Sequence, residues 1–145
     1  MMQSIEKSVS VQHEQQLTSL VMDSIAITTK LFHEAKKPGF TTTDWAPLAA
    51  MMAVKEFKWI SPEHEELGWQ EYTAYLTEWA QAMSWKSTVN RIHQWQNIVY
   101  VEHQERCTFG DTVDICRSVA VYEFNEASKI TRLAIYLQHK PSLGL

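Results

Sequence analysis

Glycine is scarce in this chain, with four in 145 residues, and proline is equally rare. So few glycines leave little room for the Gly-rich loops that cradle phosphates. Cysteine is scarcer still: only Cys107 and Cys116 occur. Two cysteines make no disulfide framework, and their spacing matches no zinc motif. Free thiols in a reducing, cytoplasmic setting are therefore expected. Positive charge is not in excess. Thirteen Lys and Arg stand against 17 Asp and Glu, a formal charge of −4. No nucleic-acid partner is expected, because such binders carry a basic patch. Long apolar runs are missing as well. The longest uncharged one, Ala46–Val54, contains Pro47 and falls far short of the roughly 20 residues of a membrane span. Met1 to Gln16 is polar and lacks the apolar run of a signal peptide. There is no nucleophile elbow and no His-Glu-x-x-His helix, and no cofactor or metal is implied.

What the chain does have is aromatic residues: six Trp, five Tyr and five Phe. They mean either a bulky core or an aromatic-lined cavity. The length fits one domain, with a core over about residues 12–138. Leu17, Leu20, Val21, Ser24, Ile27, Thr28, Leu31 and Ala35 recur at helical spacing, predicting a helix over 12–36. Lys36-Lys37-Pro38-Gly39 ends it. Thr43 or Asp44 caps a short second helix over about 45–54. Phe57 to Ile60 alternates briefly and stops at Ser61-Pro62, predicting a short strand. Glu63 to Glu66 reads as a charged loop ending at Gly68. An aromatic stripe of Trp69, Tyr72, Leu76, Trp79 and Met83 then marks a third helix, about 69–83.

From Lys86 onward Thr, Val, Ile, Trp and Tyr dominate. Four strands are predicted at about 87–95, 98–107, 112–124 and 129–138. Their short polar breaks imply hairpins in an antiparallel meander. Helices first and strands second make an α+β domain, with the helices on one face of the sheet.

This order of elements resembles the nuclear transport factor 2-like superfamily, and within it the SnoaL-like polyketide cyclases and ketosteroid isomerases. Three local phrases carry the resemblance. Thr43 to Met51 resembles the second-helix phrase. Trp59-Ile60-Ser61-Pro62 followed by Gly68 resembles the first strand and the glycine opening the third helix. Val121 to Asn125, with Lys129-Ile130 and Ile135-Tyr136-Leu137, resembles the final hairpin. The resemblance implies a cone-shaped curved antiparallel sheet, formed by the short first strand and the four-strand meander. Three N-terminal helices would close it over a pocket, and the outer sheet face is often a dimer interface. It also implies where a ketosteroid isomerase would carry two aspartates. Those positions here are Ser61 and Ala120. Serine cannot act as the carboxylate base and alanine cannot donate to an oxyanion, so chemistry by that dyad is excluded.

Alternation places Asp114, Cys116, Ser118, Ala120, Tyr122 and Phe124 on one face of the third long strand. The resemblance turns this face into the cone, making Cys116, Ser118, Ala120, Tyr122 and Phe124 candidate pocket-lining residues. Trp59, Ser61, Tyr75 and Trp79 would join them, either stacking on a flat ligand or packing as plain core. His93 and His103 are the candidate acid–base residues, since imidazole titrates near neutrality. A two-residue turn at Gln96-Asn97 would put them on opposite faces, and a three-residue turn on the same face. Glu102, Glu105, Arg91 and Arg106 read as cross-strand charge pairs on a solvated or dimer face. Ile115, Val119, Val121, Ala134 and Tyr136 would form an outer apolar patch, best covered by a homodimer. The expected partner is a hydrophobic, ring-containing small molecule. Two functions stay open: a cofactor-free lyase, isomerase or cyclase, and a non-catalytic dimeric ligand carrier or protein-interaction module.

Overall fold

The computed structural model describes residues 2–138, with side chains from Leu17 onward. The side chains of the polar N-terminal stretch, 1–16, lie outside the described residues, as do positions 139–145. Helix α1 spans Met2–Glu34. Its described stripe of Leu17, Val21, Ser24, Leu31 and Phe32 is buried, while Asp23 and Lys30 face out. Among the described residues no helix is long and apolar enough to cross a membrane.

The helix ends at the Lys36–Gly39 punctuation, where Gly39 takes a φ of 87° that a side chain would strain. Lys36 does more than stop the helix. Its ammonium donates to the carbonyls of Phe32, Ala80 and Met83. Two of these, Ala80 and Met83, lie at the end of a different helix, α3 (Trp69–Ala82), so one cation ties two carbonyl-rich helix ends together. Burial lowers its pKa from the ordinary lysine value.

The second helical segment is shorter than the sequence pattern predicts. A 3-10 turn, Thr42–Trp45, runs into α2, Ala46–Ala49. Asp44 reaches back to the Thr41 amide at 2.7 Å and fixes the start. Trp45 is fully buried between Phe32 and Phe40, and its indole donates to Thr77 on α3 at 2.9 Å. Helix α3, Trp69–Ala82, buries Tyr72, Leu76 and Ala80 on one stripe.

Among the described residues six strands form one sheet: β1 Lys58–Ile60, β2 Glu66–Leu67, β3 Ser84–Trp95, β4 Ile98–Phe109, β5 Thr112–Phe124 and β6 Ile130–Leu137. Their order is β2-β1-β6-β5-β4-β3. The four long strands are the expected meander, and the domain is α+β with a curved sheet under the helices. Two details depart from the expected all-antiparallel sheet. Strand β1 joins β6 in parallel, with Trp59 opposite Leu133, so the sheet is mixed. Glu66 and Leu67, expected as loop, form β2 and pair back onto β1. Two residues are too few to show any periodicity, which hid this strand from pattern reading.

Register decides which side chains see the concave face. The Gln96-Asn97 turn has two residues, so Trp95 pairs with Ile98 and His93 with Tyr100. A bulge between Val89 and Arg91 then shifts the pairing, leaving Val89 opposite His103. A second irregularity lies between Glu123 and Phe124. Bulges of this kind bend and twist strands, and they add to the curvature here.

Candidate functional site

A cavity of about 400 Å³ lies between the concave sheet face, α3 and the second half of α1. That volume suits a small organic molecule. One wall is aromatic. Trp59 on β1 stacks on Tyr72 at 5.3 Å between centroids and touches Tyr75 at 5.5 Å. Tyr75 in turn meets Trp79 at 4.8 Å. Tyr75 and Trp79 lie one helical turn apart on α3, and both stay partly exposed at the cavity.

The opposite wall holds the polar chemistry. Strand β4 points His103, Glu105 and Cys107 inward in alternation. Glu105 lines the cavity, and both of its oxygens are held. Oε2 accepts from the Trp85 indole at 3.0 Å. Oε1 accepts from the Ser118 hydroxyl at 2.9 Å and lies 3.2 Å from His103 Nε2. Behind it, His103 is 5 % exposed and Ser118 1 % exposed. His103 Nε2 is 2.9 Å from Ser118 Oγ, and Nδ1 is 2.7 Å from Ser87 Oγ.

Hydrogen counting orders this chain. Ser118 has one hydrogen and gives it to Glu105, so its lone pairs receive the Nε2 hydrogen of His103. Nδ1 of a neutral ring then accepts from Ser87. Burial lowers the His103 pKa, and the Glu105 charge opposes that only in part. A neutral imidazole satisfies every partner. Three further groups of the wall, Cys107, Tyr122 and Tyr72, are held protonated at neutral pH. Burial pushes the Cys107 thiol up to about 11, with Glu105, Cys116 and Asp114 adding to the shift. Burial pushes Tyr122 up to about 12, against a hydrogen bond with Ser24 that pulls the other way. Tyr72 is raised further, again chiefly by burial.

The sequence-derived candidates separate into four groups. Trp59, Ser61, Tyr75, Trp79, Cys116 and Tyr122 line the cavity. Ser118 stands just behind its wall, and His103 beside it. Ala120 and Phe124 lie off the cavity in the packed core, 1 % and 2 % exposed. His93 is turned away: the two-residue turn sends it to the convex face, where it is exposed. Ser61 is buried, and its hydroxyl accepts from the amides of Glu63 and Glu65 at 3.2 and 3.0 Å, bracing the β1–β2 turn.

Glu105 does not belong to the charged outer face. Only Arg91 and Glu102 form the expected cross-strand pair, at 3.0 Å and outside the cavity, with Arg106 exposed on the same convex side. The parity shared by His103 and Glu105 was the signal that could have found this carboxylate. Trp85 was missed for a different reason: strand β3 begins at Ser84, earlier than its composition suggests.

No family model matches this sequence, and no curated protein matches it. Solved structures do. AclR, a candidate hydroxylase from Streptomyces galilaeus, superposes with a TM-score of 0.68 at 11% identity, covering 88% of this chain and 82% of that one. Bal32a, from a soil-derived mobile gene cassette, gives 0.68 at 12%, covering 86% and 90%. A candidate SnoaL-like polyketide cyclase from Jannaschia sp. CCS1 gives 0.66 at 10%, covering 86% and 87%. This chain has the SnoaL-like, NTF2-like fold. Identities this low establish the fold alone. Within that fold, Glu105 supplies a carboxylate to the inner wall of the cavity.

Proposed function

We propose that this protein binds a flat, largely apolar small molecule in the cavity and moves a proton on it, as a cofactor-free isomerase, cyclase or lyase. One observation carries the reading: Glu105 presents a carboxylate to the cavity, opposite its aromatic wall, and is held at both oxygens. A base fixed in such surroundings is preorganised for proton transfer. In an isomerisation, Glu105 takes a proton from a carbon beside a carbonyl. The C–H electron pair moves into an enolate, and the proton returns at another carbon. In a cyclisation, that carbon attacks a second carbonyl of the same molecule, and the proton ends on the new alkoxide. His103 touches neither the ligand nor the proton; acting through Ser118, it positions Glu105.

The test is deuterium exchange into 2-tetralone and like bicyclic ketones in D₂O, followed by NMR. Wild-type protein should accelerate exchange over buffer, and Glu105→Gln should lose about 10²–10⁴ of that rate. Wild-type rates no faster than buffer, or an unaffected Glu105→Gln variant, overturn the proton-transfer reading. The second reading, a non-catalytic carrier, is favoured by the missing carboxylates at Ser61 and Ala120. It predicts binding of these ketones without exchange.

The same reading includes a homodimer through the convex sheet face. Its support is the exposure there of Trp95, Ile115 and Tyr136, at 58 %, 47 % and 45 %, with Val119 and Val121 half-buried beside them. Ala134, expected in this patch, is fully buried and adds nothing to it. Light scattering should give a dimer mass at micromolar concentration, and Ile115→Arg with Tyr136→Arg should give a monomer. A wild-type monomer would remove this part. Cys107 and Cys116, which form no disulfide, support work in a reducing cytoplasm.

A further inference from the structure

The described lining of the cavity is rich in acidic residues. Four of its lining residues are acidic: Glu63, Glu65, Glu105 and Asp114. Among the described residues that line it, none is Lys, Arg or His. They approach from different elements, the β1–β2 turn on one side and strands β4 and β5 on the other. The cations of the adjoining strands are aimed elsewhere. Lys58 and Arg132 pair across β1 and β6 at register positions one step from the cavity-facing Trp59 and Leu133, and Arg132 is joined to Glu123 at 3.2 Å.

A second feature lies beside the acidic residues and is independent of them. Trp59, Tyr75 and Trp79 form a run of touching rings along the mouth. Aromatic faces are negative at the ring centre and attract cations, most strongly when water is excluded. Glu63 and Glu65 act on this run directly: together with burial, which is the larger cause, their charges raise the Tyr75 pKa. Rings and carboxylates thus favour the same sign of ligand at the same place. An anionic ligand would meet repulsion from both, with no described cation to offset it.

We propose that the cavity selects a cationic ligand, a protonated aromatic or polycyclic amine, with its ring system against Trp59, Tyr75 and Trp79 and its ammonium group beside Glu63 and Glu65. This rests on the reading of the cavity as a small-molecule site and adds the charge class of the molecule. It does not depend on any proton transfer by Glu105. The apolar walls accept the body of the ligand, and the carboxylates at the mouth draw the charge, steering cations inward from solution.

Three probes of one shape and different charge test it: 2-naphthylmethylamine, 2-naphthylmethanol and 2-naphthoate, titrated by calorimetry at neutral pH. The amine should bind about tenfold more tightly than the alcohol, and the carboxylate more weakly than either. The double variant Glu63→Gln, Glu65→Gln should bring amine affinity down to that of the alcohol and leave alcohol affinity unchanged. Equal binding of all three probes, or a double variant that keeps the preference, overturns the cationic ligand but leaves the small-molecule site standing. Failure of all three to bind overturns both. Loss or retention of ketone exchange in Glu105→Gln does not enter, so the two failures are distinguishable.

Discussion

Glu102 and Glu105 sit three residues apart on β4 and live in different worlds. Glu102 faces the convex side, half-buried, and pairs there with the exposed Arg91 on β3. Glu105 faces the concave side and is fixed by Trp85 and Ser118 at the edge of the cavity. Residue type is identical; strand parity makes the difference. A two-residue period sends odd-numbered β4 side chains, from Val99 through His103 to Cys107, toward the helices. The even-numbered ones, Tyr100, Glu102 and Arg106, face the convex side. Chemistry in this fold is therefore decided by the face a side chain occupies, and single-step register changes would exchange the two sets wholesale.

The contrast can be broken from its strongest side first. Phe124→Ala, in the packed core, should destabilise by about 3–5 kcal/mol, whereas Tyr100→Ala on the convex face should cost under ~1 kcal/mol. Denaturant melts of both variants check this, and equal losses would mean that the two faces do not differ in burial. Ser118→Ala comes next. It leaves Glu105 and His103 each short of a partner in a buried setting, and should cost about 1–3 kcal/mol. Glu102→Gln should change stability by at most ~1 kcal/mol, because an exposed pair contributes little. A larger effect from Glu102 than from Ser118 would reverse the assignment of the faces.

A smaller effect is expected with pH. Burial holds His103 below the ordinary histidine value of 6.5 in the folded state. Below that value the unfolded chain binds the proton more readily, so stability is lost as pH falls from about 6.5 toward the folded pKa, and none is lost above it. His103→Gln should flatten this slope in melts between pH 7 and 5, while the exposed His93→Gln should leave it as it is. An unchanged slope in His103→Gln would place the sensitive group elsewhere.

Much of this arrangement was legible in the sequence. The alternation on β5 was enough to set Cys116, Ser118 and Tyr122 on one face, because its thirteen residues hold one period almost to the end. The turn at Gln96-Asn97 was recognisable from its polar break, and its two-residue form was one of two options. The bulge at Val89–Arg91 was not legible, since nothing in Val-Asn-Arg announces an extra residue. The parallel pairing of β1 with β6 joins residues more than seventy positions apart and leaves no local mark. Glu105 was hidden by its neighbours. Set among Glu102, Arg106 and Arg91, it read as one more charge in a solvated row, although its parity matched that of His103.

Tryptophan supplies reporters on both faces, and they test the account most directly. Trp85 donates to Glu105 inside the cavity, Trp59 and Trp79 line it, and Trp95 is exposed on the convex side. Indole N–H signals in a ¹H–¹⁵N NMR titration with 2-tetralone should move for Trp59, Trp79 and Trp85, and stay fixed for Trp95. Movement of Trp95 with Trp85 and Trp79 unmoved would put the ligand on the wrong face of the sheet and contradict the assignment of the cavity as the functional site.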